Sequence, residues 1–419
     1  MTPRSFLAFL PLLGVLAIAT YALPERPDDE AGYVSLAHRL TEGSYTTGDD
    51  EALLDDRPSY PDLWFGPGLP LVLAPLVALD APLDVLRATG PLFLFGAILL
   101  FYVLVGRRAS NRTALVAAYA LGLYVPFYTL LPNVHSEPLA ILLLVGGLLA
   151  TAVQLERGDR TSLLVAGAAF AGLALTRVAF GWVLTAALVA TAVWWASSRS
   201  PDAARTTRIF AVAVICCTPW LAYTWSQTGR PLVWGNSGSL SLYWMSSPYD
   251  GDYGDWHQAD KVFSDPNLAA HRPFFETLRD LPLAEQNRRL EREALSNIAG
   301  DPLKYALNVA ANGSRLLFNS PYSFERQSPK ALVYALPNSL VFGAVVLALV
   351  LLLPRRGTLP REAVPFLMLG TATVGLHLLV ASYPRMLMPV VPIVIWFLVR
   401  ALLAVGLVDD QPARRASAV

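Results

Sequence analysis

The sequence predicts an all-α polytopic membrane protein of about ten transmembrane helices with two large extracytoplasmic segments. Composition is the first reason: 54% of the 419 residues are hydrophobic and only 15% are charged, against about 25% charged residues in an average soluble domain. The second reason is that long apolar runs recur along the chain, with a mean hydropathy of +0.44. The formal net charge is zero, so bulk charge gives no reason to expect nucleic acid as a partner.

A membrane-spanning helix needs about 20 mostly apolar residues. Ten stretches meet this requirement: 5–23, 86–106, 112–131, 137–155, 162–178, 180–197, 208–226, 331–353, 363–381 and 386–406. The first is interpreted as a retained anchor, since no small-residue cleavage motif precedes the acids that follow it. The run 68–80 is too short to cross and predicts a partial or surface-lying helix.

Basic residues in short loops indicate the orientation of the spans. With ten spans, the arginine clusters fall on one side, which predicts that both termini are cytoplasmic: Arg107, Arg108, Arg112, Arg157, Arg160, Arg199, Arg205, Arg208, Arg355, Arg356, Arg361, Arg414 and Arg415. The opposite face then carries the first loop, 24–85, and a second segment, 227–330. We expect a membrane module over 1–226 that includes the first loop, the second segment, and C-terminal spans with a short tail over 331–419.

Regular structure is expected in both outer segments. A short amphipathic helix is predicted at 30–41, and helical spacing of apolar residues predicts helix over 282–316. The two cysteines, Cys216 and Cys217, are adjacent inside an apolar run and are interpreted as small apolar residues. No CxxC or HExxH pattern occurs, so a zinc site is not predicted.

Three acids, Asp28, Asp29 and Glu30, directly follow the first apolar run. Solvated carboxylates at a membrane surface can be a simple polar collar, and this is the interpretation preferred for Asp28. Beyond them, Tyr60 and Trp64 stand among prolines in "RPSYPDLWFGPGLPL". Rigidly held aromatic faces suit a sugar ring or an isoprenoid chain, although an interfacial aromatic belt is an alternative.

Several short motifs, taken in order, resemble the GT-C superfamily of polyprenyl-phosphate-sugar-dependent glycosyltransferases. The likeness is to the branch of protein O-mannosyltransferases and aminoarabinose transferases. The motifs are "DEAGY" at 29–33, "YPDLWFGPGLPLVLAP" at 60–75, "LRATGPL", "HSEPLAILL" at 135–143, "LALTRVAF" at 173–180, "TPWLAYTWSQTGRPL" at 218–232 and "YPRMLMPVVP" at 383–392. Two features depart from the family pattern: the order Tyr383-Pro384-Arg385, and Tyr223 and Thr224 where an asparagine is common.

The resemblance implies a reaction in which a sugar on a polyprenyl phosphate is transferred, with inversion, to a glycan, lipid or protein acceptor outside the cytoplasm. Asp29 matches the family's general base, which would take the proton of the acceptor hydroxyl. Glu30 matches the neighbouring acid, which orients the acceptor or supports the loop. Substrate contacts are expected from Tyr33, Tyr60, Trp64 and Glu137.

The leaving group in such a reaction is a lipid phosphate, which calls for arginine at the interface. Arg385, Arg87 and Arg177 stand near outer helix ends and are the candidates, with snorkelling to headgroups as the alternative for each. Glu137 opens the fourth span, where it either complements the helix dipole or belongs to the site. No resident cofactor is expected, and the sequence leaves the need for a divalent metal open.

Two rival functions remain at this level. A transporter or flippase of lipid-linked sugars would place ionisable groups near the bilayer midplane and often show internal repeats, whereas the charges here gather at one interface and no repeat is evident. A noncatalytic envelope-assembly subunit would need neither Asp29 nor Arg385. The sequence favours the enzyme.

Overall fold

The computed structural model describes residues 6–25, 29–45, 63–324 and 329–409, and every regular element in these ranges is helical. In the N-terminal part the helices are α1 (Leu10–Ala22), α2 (Glu30–Thr41), α3 (Gly68–Val77), α4 (Leu83–Arg87), α5 (Thr89–Gly106), α6 (Asn111–Gly122), α7 (Glu137–Arg157), α8 (Arg160–Thr176), α9 (Ala179–Ser198), α10 (Pro201–Cys216) and α11 (Thr218–Thr228). Tyr60 lies outside the described residues.

The second outer segment and the C-terminal part contain the remaining helices. They are α12 (Ser237–Met245), α13 (Lys261–Ser264), α14 (Arg272–Glu276), α15 (Leu283–Gly300), α16 (Pro302–Phe318), α17 (Leu332–Leu352), α18 (Ala363–Leu378) and α19 (Val391–Ala404). Short 3-10 turns occupy Val125–Thr129, Pro266–His271, Pro329–Ala331, Leu353–Thr358 and Pro384–Val390.

Among the described residues, five helical segments are long and apolar enough to cross a membrane. They are Leu83–Gly106, Glu137–Arg157, Ala179–Ser198, Leu332–Thr358 and Pro384–Ala404. A sixth results if the pair Pro201–Cys216 and Thr218–Thr228 counts as one span, although the two are bent by 48°. The all-helical fold with apolar candidate spans is therefore confirmed for the described residues, whereas ten spans and two extracytoplasmic segments are not.

Two of the expected spans are interrupted, and proline explains both interruptions. The expected span 112–131 is a helix only over Asn111–Gly122, followed by a 3-10 turn at Val125–Thr129 that contains Pro126. The expected span 208–226 breaks at Cys217, two residues before Pro219. Proline lacks the backbone N–H and disfavours helical geometry in the residue before it, an effect that mean hydropathy does not register.

Other expected spans are helices shorter than a full crossing. The stretches 5–23, 162–178 and 363–381 form helices of 13, 17 and 16 residues, in that order. The surface-lying helix expected near 68–80 appears as α3, and the helix expected at 30–41 appears as α2. The helical region expected at 282–316 is divided at Asp301 into α15 and α16.

Two large hydrophobic cores, with a small cluster of Ala348, Leu352 and Ala401 between α17 and α19, hold these helices together. The larger joins the apolar helices α1 to α11 with α18 and α19. The smaller lies within the second outer segment, where Trp244, Phe275 and Leu290 are almost fully buried. Ala381 and the half-buried Trp64 pack against this smaller core, so the loops after α18 and before α3 connect the two bodies of the protein.

Candidate active site

Asp29 is held at the start of α2, where the sequence predicts the general base. Asp29 is the N-cap residue of α2, but its side chain makes no capping hydrogen bond. One turn later Tyr33 is buried and donates from its hydroxyl to Ser136 Oγ at 2.8 Å. The Tyr33 ring also packs on Phe65, with ring centroids 4.3 Å apart. These contacts fix the first turn of α2 against the start of α7 and orient the Asp29 carboxylate toward the cluster described next.

Arg385 and Arg177 converge on the carboxylates at the N-terminal end of α7. Arg385 Nη2 lies 3.0 Å from Asp29 Oδ2, and its Nε lies 3.7 Å from Glu137 Oε1. Arg177 Nη1 lies 2.5 Å from the same Glu137 oxygen. Glu137 is 1% exposed, so its negative charge is offset by the two guanidinium groups in a region of low dielectric. Four of the predicted residues therefore form one cluster.

A tight backbone approach places Arg177 beside the aromatic loop. A Cβ at Gly66 would come within 2.1 Å of the Leu175 carbonyl oxygen, and one at Gly68 within 2.5 Å of Thr176 Oγ1. Only glycine fits such an approach. The "WFGPG" stretch therefore packs directly on the end of α8, and this brings Trp64 and Phe65 to the same cavity as Arg177.

Glu30 and Arg87 form a separate network behind this cluster. Arg87 is 7% exposed, with nitrogens 2.8 Å from Glu30, 2.5 Å from Glu25 and 3.9 Å from Asp84. Glu30 also accepts the Val134 backbone N–H at 2.8 Å. Burial alone would raise the pKa of Glu30, but the hydrogen bonds from Arg87 and Val134 outweigh it, and the pKa falls below its ordinary value.

The position of Arg87 gives no support to its expected contact with a donor phosphate. Its guanidinium faces three carboxylates, and the described residues that line the two cavities below include neither Arg87 nor Glu30. Glu137 also lines neither cavity. It pairs with Arg177 and Arg385 from a buried position. The sequence left two roles open for Glu30, orienting the acceptor or supporting the loop. Its contacts favour support of the loop.

Two cavities meet at the Asp29–Arg385 pair. The first has a volume of about 320 Å³ and reaches Arg177, Trp182 and Leu376. The second has a volume of about 500 Å³ and reaches Gln258, Asn319 and Tyr322. Their shared lining is Asp29, Trp64, Ser237, Ser241, Ala381, Arg385 and Met386. The carboxylate and the guanidinium are thus accessible from both sides.

The second cavity contains residues that the sequence did not single out. Trp256 packs edge-on against Trp64 and Tyr383, with ring centroids 6.2 Å apart in each case. Tyr383 donates to the Trp256 carbonyl oxygen at 3.2 Å, and Tyr322 donates to Asn319 Oδ1 at 2.5 Å. The turn-rich "DYGDWHQ" stretch contained the one signal for this aromatic wall, an isolated tryptophan among polar residues. Nothing in the pattern indicated Tyr322.

The described residues contain no group of three or more His, Cys, Asp or Glu side chains placed to hold a metal ion. Cys216 and Cys217 are both free thiols, the first exposed and the second buried. The shared lining of the two cavities holds the Asp29 carboxylate, the Arg385 guanidinium and the Trp64 ring, and Arg177 lines the first cavity alone.

Comparison with solved structures identifies the fold. The oligosaccharyltransferase of Archaeoglobus fulgidus, solved with a tethered acceptor peptide containing the NVT sequon, superposes with a TM-score of 0.51 over 94% of this chain, at 14% identity. The chain therefore shares the fold of that oligosaccharyltransferase, in agreement with the fold that the sequence resemblance predicted. At this level of identity the comparison establishes the fold and not the activity.

Two further structures are similar at lower scores. The A. fulgidus oligosaccharyltransferase AglB, in complex with an inhibitory peptide and a dolichol-phosphate, gives a TM-score of 0.48 at 12% identity over 96% of this chain. ArnT from Cupriavidus metallidurans, bound to undecaprenyl phosphate, gives 0.41 at 13% identity over 96% of this chain and 77% of its own. The chain spans about half of the two archaeal proteins, 50% and 49%. No family model and no curated protein sequence matches the chain.

Proposed function

We propose that this protein is a membrane glycosyltransferase that moves a sugar from a polyprenyl-phosphate donor to a hydroxyl acceptor at the extracytoplasmic face. The observation that carries this proposal is the Asp29–Arg385 pair, 3.0 Å apart, on the wall shared by two cavities. One group in the pair can accept a proton and the other can bind phosphate. A transferase needs both functions at the point where its two substrates meet.

The reaction is a single displacement in which Asp29 acts as the base. The acceptor oxygen attacks the anomeric carbon, its O–H proton passes to Asp29, and the bond from that carbon to the phosphate oxygen breaks. The lipid phosphate leaves with the electron pair, and the sugar configuration inverts. A correctly placed base of this kind contributes about 10²–10⁴-fold to the rate.

Arg385 and Arg177 would stabilise the departing phosphate. Negative charge on the phosphate grows as the bond breaks, and guanidinium groups at that position favour the transition state over the ground state. In the structure Arg385 is paired with Asp29. We propose that the donor phosphate draws Arg385 away from this pair and so frees the carboxylate to accept a proton.

The two cavities differ in the residues that surround them. The first is flanked by Trp182 of α9 and Leu376 of α18, and is therefore assigned to the donor with its isoprenoid chain. The second is flanked by Gln258, Asn319 and Tyr322 of the second outer segment, and is assigned to the acceptor. Trp64 lines both and would stack on the transferred sugar.

Four other residues have supporting roles in this proposal. Tyr33 contacts the donor cavity and keeps α2 in register through Ser136. Glu137 positions Arg177 and Arg385 without contact to substrate. Glu30 and Arg87 join α2 to α4 and to the backbone of Val134, and so act as structural residues.

The test is the variant Asp29→Asn, with Asp84→Asn as the matched control at an exposed acid on α4. Purified protein in lipid nanodiscs receives lipid-linked sugars extracted from its source cells, and released polyprenyl phosphate is quantified. We expect Asp29→Asn to lose turnover by about 10²-fold or more while its binding of polyprenyl phosphate persists. Full turnover in Asp29→Asn, or no polyprenyl phosphate release by the unaltered protein, contradicts the proposal.

A further inference from the structure

A third cavity adjoins the donor cavity, and Asp29 does not line it. Its volume is about 230 Å³, and its lining includes Arg230, Asn236, Asn287 and Glu291. It shares Trp182 and Gly235 with the donor cavity. None of the reactions described above uses this space or these four polar residues.

Part of the wall of this third cavity is the irregular segment 230–236, which is held by hydrogen bonds to α11. Trp220 Nε1 donates to the Trp234 carbonyl oxygen at 3.0 Å, and Thr224 Oγ1 donates to the Val233 carbonyl oxygen at 2.7 Å. Gly181 is essential to this packing, since a Cβ there would come within 2.0 Å of the Trp234 ring. The cavity is therefore a defined part of the fold.

Two residues that line this cavity each have a buried acceptor atom without a hydrogen-bond partner among the described residues. These atoms are the side-chain oxygens of Asn236 and Asn287. Asn236 is the N-cap residue of α12, yet its side chain makes no capping hydrogen bond. Because an unsatisfied buried polar atom costs about 1–3 kcal/mol, these two oxygens point to a ligand that donates hydrogen bonds.

The charged groups around the third cavity limit which hydrogen-bond-donating ligands can bind there. Arg230 Nη1 lies 3.1 Å from Glu291 Oε1, and Ser239 Oγ donates to the same oxygen at 3.3 Å. A phosphate would meet the Glu291 carboxylate and would offer acceptors where donors are needed. An ammonium group would meet the Arg230 guanidinium. Neutral sugar hydroxyls, which donate and accept, match both the amides and the ion pair.

We propose that the third cavity binds a second, neutral sugar unit of the donor, so that the donor carries a saccharide of at least two units. This proposal rests on the proposed function, because it takes the first cavity as the donor site. The shared wall at Trp182 and Gly235 gives the continuity that a saccharide needs to occupy both spaces. The exposed Trp182 indole, 45% accessible, supplies an aromatic face between them.

The experiment compares synthetic donors in which farnesyl phosphate carries one hexose or the same hexose extended by a second. Glucose, mannose and galactose versions, with the common linkages, form the panel. Binding is measured by calorimetry on the Asp29→Asn protein in nanodiscs, so that no turnover is required. The informative variant is Asn287→Leu, and the matched control is Asn297→Leu, which removes an amide from the same helix away from the cavity.

We expect at least one disaccharide donor to bind more tightly than its monosaccharide counterpart. Asn287→Leu should weaken that binding by about three- to tenfold, the loss expected for one hydrogen bond, while the monosaccharide donor and the Asn297→Leu protein are unaffected. The proposal is overturned if no disaccharide binds better than its monosaccharide, or if Asn287→Leu weakens both equally. Binding of glycerophosphoethanolamine that depends on Asn287 would also overturn it, in favour of a lipid headgroup.

Failure of this proposal and failure of the proposed function give different results. If the unaltered protein releases polyprenyl phosphate but the disaccharide has no advantage, the function survives and the sugar subsite does not. If the disaccharide binds through Asn287 but the unaltered protein releases no polyprenyl phosphate, the subsite survives and the transferase does not.

Discussion

The Arg385 guanidinium lies between two carboxylates, 3.0 Å from Asp29 and 3.7 Å from Glu137. The two acids differ in surroundings, since Glu137 is 1% exposed and does not line either cavity, whereas Asp29 lines both. The buried acid is therefore placed to keep the arginine in position, and the accessible acid is placed to exchange partners with it. This arrangement suits a site in which phosphate arrival and proton acceptance are coupled.

Replacing Arg385 with lysine tests whether the geometry of the guanidinium matters. Lysine keeps the positive charge but cannot present two parallel N–H donors to phosphate. We expect Arg385→Lys to weaken polyprenyl phosphate binding by about tenfold, and Arg361→Lys, at an exposed arginine, to leave it unchanged. Equal affinity in Arg385→Lys and the unaltered protein would argue that the phosphate binds elsewhere.

Glu137→Gln tests the role of the buried acid behind the arginines. The change removes the charge that offsets Arg177 at 2.5 Å, and breaking a buried ion pair costs about 3 kcal/mol of stability. We expect a lower midpoint of unfolding, measured by near-ultraviolet circular dichroism in detergent. The double variant Glu137→Gln, Arg177→Gln should recover part of the loss, because neither charge is then left unpaired. A double variant less stable than Glu137→Gln would contradict the pairing.

The sequence indicated these residues as candidates but did not pair them. The family resemblance indicated Asp29, positions near the ends of apolar runs indicated Glu137, Arg177 and Arg385, and the structure brings all four together. Arg87 has the same pattern, near the start of a candidate span, yet it faces Glu25, Glu30 and Asp84. The pairing of carboxylates with guanidinium groups depends on how helices that are far apart in the sequence pack together. The pattern of residues along the chain does not reveal this packing.

The fold was likewise only partly predictable from the sequence. Hydropathy located the apolar segments, and amphipathic spacing located α2, α15 and α16. The number of full crossings was not predictable in this way, because a window average passes over prolines such as Pro126 and Pro219 that end a helix. The third cavity was not predictable from the sequence either, because its lining residues come from α9, α11, the 230–236 segment, α12 and α15.

Arg87→Gln separates a structural arginine from a phosphate ligand. Because Arg87 is held by three acids and is almost buried, its loss leaves Glu30 beside like charges. We expect reduced stability, by about 2 kcal/mol, with polyprenyl phosphate affinity unchanged in the folded fraction. Thermal unfolding and equilibrium binding on the same sample give both numbers. A large loss of affinity with normal stability would restore the phosphate role that the sequence suggested.

We predict that the stability of the segment 227–330 decreases at low pH because Asp252 becomes protonated. Burial would raise its pKa, but hydrogen bonds from His271 and the Gly254 N–H outweigh this and lower the pKa from 3.8 to about 2. A carboxylate with a lowered pKa stabilises the folded state above its unfolded value, and that stability is lost as pH falls through the folded value. Asp252 therefore contributes about 2 kcal/mol at neutral pH, lost between about pH 4 and pH 2.

The measurement is the unfolding midpoint as a function of pH for Asp252→Asn and for Asp250→Asn, at an exposed neighbour. The difference between Asp252→Asn and the unaltered protein should be largest at neutral pH and should shrink toward pH 2. Asp250→Asn should follow the unaltered protein throughout. A difference that does not depend on pH would mean that the Asp252 charge is not the source of the stability.

We predict that helix α16 contacts the lipid bilayer. Its polar face points inward and its apolar face points outward, the reverse of a water-exposed helix. Its polar side chains point inward, with Asn308, Asn312 and Arg315 at most 1% exposed. Its outer face carries Leu303 at 70% and Leu307 at 59% exposure. Tyr305 donates to the Leu379 carbonyl oxygen at the end of α18 at 2.9 Å, and this places α16 level with the end of an apolar helix. An apolar stripe at that level is typical of a helix lying in the membrane interface.

Spin labels test this placement. After Cys216 and Cys217 are replaced by alanine, a nitroxide is attached at Leu307→Cys, and Arg292→Cys on α15 is the water-exposed control, with a side chain 70% accessible. We expect the label at position 307 to collide more with oxygen, which concentrates in lipid, and the label at position 292 to collide more with a water-soluble nickel complex. If position 307 prefers the nickel complex, α16 faces water and its apolar stripe needs a protein partner instead.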